Sequence, residues 1–233
     1  MTPNKILLIN TLQDLRYWET VTSLPLGMPL GLLSIGTVLA AHGFEVIIVD
    51  PMVERNYLDI IKAHAPTSLF AGFSVMTAGV ASGLQISEFI KSTVPGLPIV
   101  WGGIHPTLFP EQTLADTLVD MVVWGEGEET CLELASALKS NTSLKNITGL
   151  GYNEKGKIIL EKSRGFMNLD SLPEINFQLI NVDSYIYRRL DSLGYIGSFS
   201  ASNVKIFMIN TGRGCPYKCT FCINTHPSQK FRF

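Results

Sequence analysis

Three cysteines near the carboxyl end of the chain have the spacing of a metal-binding loop. Cys215, Cys219 and Cys222 fall within eight positions, with three and then two residues between them. This spacing lets one loop turn its sulfurs toward a single metal centre. The only other cysteine, Cys131, is far away in sequence, so a four-thiolate zinc or iron site lacks a neighbouring fourth ligand. Three thiolates suggest a cluster with one open iron, and an open coordination position is how a metal meets a substrate.

The same cysteines are also compatible with a structural zinc site. His226 lies four residues after Cys222, and three cysteines with one histidine would complete a tetrahedral set of ligands. The chain would then be a zinc-binding α/β regulatory protein. The spacing alone leaves both alternatives open.

The composition is that of a globular protein with one large domain or slightly more. The chain has 233 residues, is 46% hydrophobic and carries a formal net charge of −2, so it can bury a sizeable core. Without a positive surplus we expect no nucleic-acid partner, and no apolar stretch is long enough to span a bilayer. The start of the chain lacks the layout of a signal peptide and cysteine is scarce. We therefore expect a cytoplasmic protein without disulfides and without a membrane partner.

Short apolar runs alternate with helical patterns over the first 140 residues. Strands are predicted at 5–10, 45–50, 68–74, 98–101 and 120–124. Helices are predicted at 28–42, 57–64, 79–93, 111–118 and 128–140. This alternation specifies an α/β fold with a doubly wound, five-stranded parallel sheet and right-handed crossovers.

Loops rich in small residues follow the third, fourth and fifth predicted strands. Ligands of doubly wound sheets bind at the carboxyl ends of the strands, and small residues let a large planar ligand approach the backbone. The candidate binding residues are Ser74, Met76, Thr77, Gly102, Gly103, Ile104, His105, Pro106, Gly125, Glu126 and Gly127. No Gly-x-Gly-x-x-Gly follows the first strand, which makes a dinucleotide the weaker candidate. Taken singly, these residues also have structural explanations, such as tight turns or glutamates that complement a helix N-terminus.

The pattern changes after residue 145. Segments 148–152 and 157–161 flank Asn153–Gly156, which predicts a hairpin. A linker around 164–176, a short helix at 180–190 and a strand at 204–210 then lead to the cysteine loop. We divide the chain into a domain at 1–145, a hairpin and linker at 146–203, and the start of a further domain at 204–233.

Two sets of motifs together resemble one known family. Gly212-Arg-Gly-Cys-x-x-x-Cys-x-Phe-Cys222 resembles the cluster loop of radical S-adenosylmethionine (SAM) enzymes. Val100-Trp-Gly-Gly-Ile-His-Pro-Thr107 and Asp120-Met-Val-Val-Trp-Gly-Glu-Gly-Glu128 are the strongest matches to the Rossmann-like cobalamin-binding domain that precedes many radical SAM domains. Pro25-Leu-Gly27 and Gly72-Phe-Ser-Val-Met-Thr77 add to this likeness. The resemblance runs from about residue 5 to the end.

The resemblance implies a set of cofactors and their contacts. Cys215, Cys219 and Cys222 would hold a [4Fe-4S] cluster whose fourth iron is chelated by SAM, with Phe221 near the adenine. The candidate loop residues would surround the corrin of cobalamin, whose nucleotide tail inserts beside the sheet. The Asp-x-His-x-x-Gly motif is absent, which implies base-off cobalamin without a protein histidine on cobalt, so His105 is expected as a wall residue. Asn10-Thr11-Leu12 departs from the usual Asn-Pro-Pro of the family.

The implied function is that of the N-terminal part of a B12-dependent radical SAM enzyme. Its reaction would be methyl transfer to an unactivated carbon of a small molecule or peptide, with a reductant serving the cluster. Some members of the family catalyse cyclisation or rearrangement instead, so these reactions stay open as alternatives to methyl transfer. Residues 204–233 would supply only the first strand and cluster loop of a partial (β/α) barrel, so we expect this fragment alone to be inactive. A non-catalytic corrinoid-binding module with a vestigial cysteine loop is the remaining alternative.

Overall fold

A seven-stranded sheet with the order β2-β1-β3-β4-β5-β6-β7 forms the centre of the computed structural model. The structure describes residues 3–11, 27–186, 209–223 and 231–233. The strands are β1 (Lys5–Asn10), β2 (Glu45–Val49), β3 (Ser68–Ser74), β4 (Ile99–Gly102), β5 (Met121–Val123), β6 (Leu150–Glu154) and β7 (Lys157–Leu160). The first five strands run parallel, as the sequence predicts. The strand order reverses between β1 and β3, and the doubly wound α/β fold is confirmed.

Helices cover both faces of the sheet. They are α1 (Leu30–Ala41), α2 (Tyr57–His64), α3 (Val80–Thr93), α4 (Ile104–Leu108), α5 (Pro110–Leu114), α6 (Glu128–Ser140) and α7 (Asp183–Ile186). Among the described residues, no helix combines the length and apolar character needed to cross a membrane. Ile6 and Leu8 of β1 belong to the core under α1 and α6, whereas Leu7 and Ile9 belong to the core under α2 and α3. Because successive strand residues face opposite sides, a strand covered on both faces must be apolar throughout.

The predicted hairpin is part of the main sheet, which therefore has seven strands where five were expected. Strand β6 pairs antiparallel with β5, and β7 pairs with β6 at the outer edge. Lys155 and Gly156 both have positive φ, at 53° and 83°, as the two central residues of a type I′ turn require. At Gly151 a Cβ would meet Leu160 at 2.6 Å and Val122 at 2.8 Å. The absence of a side chain there lets the hairpin pack closely on the sheet.

The segment between β4 and β5 differs most from the predicted helices. The structure has two short helices, α4 and α5, in place of one helix at 111–118. Pro110 occupies the first turn of α5, where its missing N–H is no loss. The carboxylate of Asp116 accepts a hydrogen bond from the Leu118 amide at 2.9 Å. This local turn competes with the helix and ends it early.

The linker crosses the α1 and α6 side of the sheet. At its start the Arg164 guanidinium pairs with Glu129 and Glu133 of α6, and further on the Asn176 amide donates to the Thr37 hydroxyl of α1 at 2.9 Å. The linker contains short 3₁₀ turns at Leu169–Ser171 and Phe177–Leu179. Of the helix predicted at 180–190, α7 is present and the part after residue 186 lies outside the described residues. The predicted strand at 204–210 is described only at 209–210, which are not in a strand.

A buried hydrogen bond fixes the far end of the linker to the sheet. The Tyr185 hydroxyl donates to the carboxylate of Asp50, the residue after β2, at 2.7 Å. Burial raises the pKa of Asp50 above its ordinary value, although its hydrogen bonds, above all the one from Tyr185, act in the opposite direction. A raised pKa in the folded state means that the ionised carboxylate opposes folding at neutral pH. Its contribution to stability therefore improves as the pH falls through the folded pKa.

We expect Tyr185→Phe to lower the free energy of unfolding by about 2 kcal/mol at pH 7, because a buried hydrogen bond to a charged group is lost. Without this donor the folded pKa of Asp50 rises further. The loss should be complete above that pKa and should shrink as the pH falls through it, where the carboxyl is protonated in both proteins. Urea unfolding at several pH values measures this dependence.

Tyr152→Phe is a matched control, because the Tyr152 hydroxyl donates to the less buried carboxylate of Glu161 at 3.1 Å. A cost of only about 0.5 kcal/mol is expected there. Equal losses in the two variants, or a Tyr185→Phe loss that does not change with pH, would contradict the importance of the Asp50 contact.

Candidate cofactor-binding site

A cleft of about 500 Å³ opens at the carboxyl ends of the parallel strands. It extends along the sheet face that α1 and α6 cover and lies next to the reversal of strand order, where doubly wound sheets bind ligands. Many of its lining residues are apolar. The sheet, the helices and the loops that join them supply these lining residues: Leu8, Leu30, Gly31, Leu32, Ile35, Phe70, Gly72, Phe73, Ser74, Val100, Gly102, Gly103, Ile104, Val123, Gly125, Glu126, Gly127, Glu128 and Cys131.

Glycines keep the rim of the cleft open. Gly103 has φ 98° and ψ −166°, a conformation essentially restricted to glycine. A Cβ on Gly103 would meet the Val75 carbonyl oxygen at 2.9 Å. Gly125 also has positive φ, at 89°, but a Cβ there would meet nothing within 4 Å. The two loops can therefore turn sharply at the strand ends and leave the backbone accessible.

Seven of the eleven loop residues predicted from the sequence line this cleft. They are Ser74, Gly102, Gly103, Ile104, Gly125, Glu126 and Gly127. The other four, Met76, Thr77, His105 and Pro106, are not among the lining residues. Their roles remain predictions, since no bound ligand tests them.

His105 is packed behind the rim. Its backbone amide donates to the Val75 carbonyl at 3.0 Å, its Nδ1 lies 3.3 Å from the Thr77 hydroxyl, and its ring contacts Phe109. Burial lowers the pKa of His105, which favours the neutral imidazole. Pro106 is buried beside it, whereas Met76 is 46% exposed.

Two arginines from the cysteine-bearing end of the chain complete the mouth of the cleft. The Arg213 guanidinium binds the carboxylates of Glu126 at 3.2 Å and Glu128 at 2.5 Å. Arg232 forms a second ion pair with Glu126. Glu128 also accepts a hydrogen bond from the Ser34 hydroxyl at 2.6 Å. We call Arg213, Arg232, Glu126 and Glu128 the arginine clasp.

Contacts within the arginine clasp shift the pKa values of Glu126 and Arg213 in favour of their charged forms. Burial raises the pKa of Glu126, but hydrogen bonds from Arg232, the Met167 amide and Arg213 outweigh it, and the pKa lies below its ordinary value. Burial likewise lowers the pKa of Arg213, and the partners Glu128 and Glu126 raise it above the usual value. From the sequence alone, Glu126 is predicted to contact a ligand, and neither arginine is predicted at the site. Arg213 belongs to the Gly-Arg-Gly motif, but only the fold brings it to a glutamate 87 residues away.

The three cysteines of the predicted cluster loop lie close to this mouth in sequence. Cys215 and Cys222 are partly exposed and Cys219 is exposed. Within the described residues, which include all three, no group of three or more Cys, His, Asp or Glu side chains is arranged to hold a metal ion. Phe221 is 92% exposed, and His226 lies outside the described residues. The assignment of these thiols to iron stays a prediction from the motif.

The cleft fits the two parts of the cofactor that the sequence suggests. A flat macrocycle needs a rim free of side chains, and Gly102, Gly103 and Gly125 provide it. A nucleotide tail needs a pocket with largely apolar walls, and apolar residues of α1 and the sheet line the cleft. The residues present therefore fit cobalamin.

Comparison with known proteins agrees with this description. Residues 20–135 match the family model of the B12 binding domain. An uncharacterized methyltransferase of Pyrococcus horikoshii is 31% identical over 202 residues, covering 84% of this chain and 40% of that protein. The anaerobic magnesium-protoporphyrin IX monomethyl ester cyclase of Synechocystis is 28% identical over 199 residues, covering 83% of this chain and 37% of that protein.

Solved structures of low sequence identity share the fold. OxsB, a cobalamin-dependent S-adenosylmethionine radical enzyme, superimposes with a TM-score of 0.70 at 19% identity, over 94% of this chain and 28% of OxsB. The radical S-adenosylmethionine methyltransferase TsrM of Kitasatospora setae gives a TM-score of 0.65 at 19% identity, over 95% of this chain and 41% of TsrM.

The fold and the cleft define a B12-binding domain of the Rossmann-like type. The chain contains a B12 binding domain and is a homologue of proteins that combine cobalamin with radical SAM chemistry. It spans about 40% of the length of the curated relatives described above.

We expect Gly103→Ala to be more destabilising than Gly125→Ala. Both substitutions place a Cβ on a backbone with positive φ, but only at Gly103 does the new atom meet the Val75 backbone. The expected losses are about 3 kcal/mol for Gly103→Ala and about 1 kcal/mol for Gly125→Ala. Thermal and urea unfolding of the two variants measure the difference. Equal losses would show that the close approach of Gly103 to Val75 is absent in solution.

Proposed function

We propose that the chain binds cobalamin in the cleft at the carboxyl ends of its parallel strands. The observation that carries this proposal is that the cleft lies within the segment that matches the B12 binding domain. All the residues before position 209 that line the cleft, except Leu8, fall within residues 20–135, which match the B12 binding domain. A cleft of about 500 Å³ is in the size range of small-molecule sites. This volume suits the nucleotide tail, so the macrocycle would cover the rim outside it.

The chain's contribution to binding is shape and exclusion of water. Apolar side chains such as Phe70, Val100 and Val123 form the wall against which the flat base of the tail would pack. The rim glycines bring backbone amides and carbonyls within reach of the macrocycle's amide side chains. His105 is engaged with Thr77 and Phe109 behind the rim. This supports base-off binding without a histidine on cobalt.

We further propose that Cys215, Cys219 and Cys222 hold a [4Fe-4S] cluster that binds SAM. Gly212, Arg213 and Gly214 line the cleft directly before the first of these cysteines, so the cysteine loop begins at the cleft mouth. That position supports a short separation between corrin and cluster. Exposed Phe221 offers an aromatic face for the adenine.

For the whole protein we propose methyl transfer to an unactivated carbon, with cyclisation as the alternative. Both outcomes are represented among the relatives, which include a methyltransferase and a cyclase. When bound, cobalamin would supply the methyl group, and the cluster with SAM would supply the radical chemistry. The residues of this chain would hold these groups next to each other at a dry cleft.

Gly31→Phe is the sharpest test of the cobalamin site. Gly31 lines the cleft in the first turn of α1, and a Cβ there meets nothing within 4 Å. A phenylalanine can therefore occupy the cleft without disturbing the core. We expect the affinity for hydroxocobalamin, measured by spectroscopic titration, to fall at least about tenfold, because the slot for the tail is filled.

Gly31→Ala is the matched control and should bind hydroxocobalamin as the unsubstituted chain does. If Gly31→Phe retains full affinity while its unfolding transition is unchanged, the ligand binds elsewhere. If the unsubstituted chain takes up no corrin, the proposed binding function is wrong.

The cluster proposal is tested by anaerobic reconstitution with iron and sulfide. The chain should take up about four irons, the number in one [4Fe-4S] cluster, and Cys219→Ser should lose most of them because one of three thiolates is missing. Cys131→Ala is the control, since burial raises the pKa of Cys131 to about 12 and keeps it protonated. Full iron uptake by Cys219→Ser, or zinc in place of iron in the purified protein, would refute the three-thiol cluster.

A further inference from the structure

The arginine clasp joins two parts of the chain that are far apart in sequence. Arg213 stands two residues before Cys215, whereas Glu126 and Glu128 stand at the loop after β5 and the start of α6. The Arg213 side chain is 29% exposed and that of Glu128 only 4%. A carboxylate so deeply buried requires a positive partner, and Arg213 supplies it.

The geometry of the arginine clasp depends on both ends of the Arg213 fork. One terminal nitrogen reaches Glu126, and the other reaches Glu128 and the Ser34 hydroxyl, at 3.1 Å from the latter. A lysine has a single nitrogen and cannot occupy both positions. The clasp therefore specifies arginine rather than positive charge alone.

Backbone contacts hold the second arginine beside the first. Arg213 and Arg232 exchange two amide-to-carbonyl hydrogen bonds of 2.8 Å. At Gly212 a Cβ would meet the Arg232 carbonyl oxygen at 2.6 Å, so this approach needs glycine. Arg232 also donates to the Met167 carbonyl at 3.0 Å and lies over the Phe166 ring. The linker and the cysteine-bearing segment thus meet at Glu126.

We propose that the arginine clasp makes residues 209–214 a wall of the cleft, so that retention of the cleft's ligand depends on Arg213. The identity of the ligand as cobalamin rests on the proposed function. Asn210, Gly212, Arg213 and Gly214 border the cleft and leave its volume of about 500 Å³ open. The segment is therefore a wall and not a plug. A ligand that contacts this wall must favour the docked segment, and by linkage the docked segment must favour the ligand.

Arg213 is a positioning residue in this proposal, because it acts by holding the segment that precedes the cluster cysteines. The opposite arrangement, an autoinhibitory plug, makes the reverse prediction. Releasing a plug would speed the entry of the ligand and tighten its binding.

The test measures amide hydrogen exchange of residues 209–223 and the rate at which hydroxocobalamin dissociates. Arg213→Gln and Arg213→Lys are compared with Arg164→Gln, which removes an arginine that ties the linker to Glu129 and Glu133 outside the cleft lining. Arg213→Gln should accelerate exchange in residues 209–223 and hydroxocobalamin dissociation, each at least about tenfold. Arg213→Lys should give an intermediate effect, and Arg164→Gln should leave both rates unchanged.

The outcomes separate this proposal from the function on which it rests. Unchanged exchange in Arg213→Gln would overturn the clasp itself, whether or not the chain binds cobalamin. If amide exchange in residues 209–223 becomes faster but hydroxocobalamin dissociates at the same rate or more slowly, residues 209–214 do not act as a wall that retains the ligand. If the unsubstituted chain binds no hydroxocobalamin, the proposed function and the retention of this ligand both fail, while the exchange data still decide whether Arg213 docks the segment. If Arg164→Gln and Arg213→Gln change amide exchange and hydroxocobalamin dissociation equally, Arg213 only stabilises the protein in general, and its specific role at the cleft is wrong.

Discussion

The cleft exists because parallel strands end together and the helices that follow them diverge. Strand β1 sends the chain to one side of the sheet and β3 sends it to the other. Within the part of the chain that the structure describes, no helix covers the gap between their carboxyl ends. Burial of β1 on both faces, with Ile6 to Ile9 almost inaccessible, keeps the strands in this arrangement. Everything else at the site, including the glycine rim and the ion pairs, is built on this edge of the sheet.

Electrostatics then connect the site to sequence that lies outside the domain. Glu126 and Glu128 are placed at the cleft by β5 and α6, and burial of two carboxylates without a cation would be costly. No lysine or arginine occurs between Gly102 and Leu138, so the positive charge must come from another segment. Arg213 and Arg232 provide it. The buried carboxylates of the B12-binding domain therefore depend on arginines of the cysteine-bearing segment for their positive partners.

Apolar runs and turn residues made most of the fold predictable. The five parallel strands and α6 follow directly from short buried runs and a helical period, and Lys155-Gly156 forms the expected hairpin turn. The sequence could not reveal that the hairpin joins the sheet, because that depends on the fit of Gly151 against Val122 and Leu160. It likewise located the cleft loops but not the arginine clasp. The rule that ligands bind at the carboxyl ends of parallel strands identifies one edge of the sheet. An ion pair between residues 87 positions apart can be recognised only in the folded chain.

The path of the linker has a consequence for how the N-terminal part of the chain comes apart. The linker leaves the outer edge of the sheet at β7, passes over α6 and α1, and ends on Asp50 beyond β2 at the opposite edge. Six strand spacings of about 4.8 Å make this a distance of roughly 29 Å. It acts as a belt across the full width of the sheet. Detachment of either edge strand would remove contacts with this linker, so we expect the two edges of the sheet to unfold as one cooperative unit. A single proteolytic cut between Arg164 and Tyr185 would destabilise both edges.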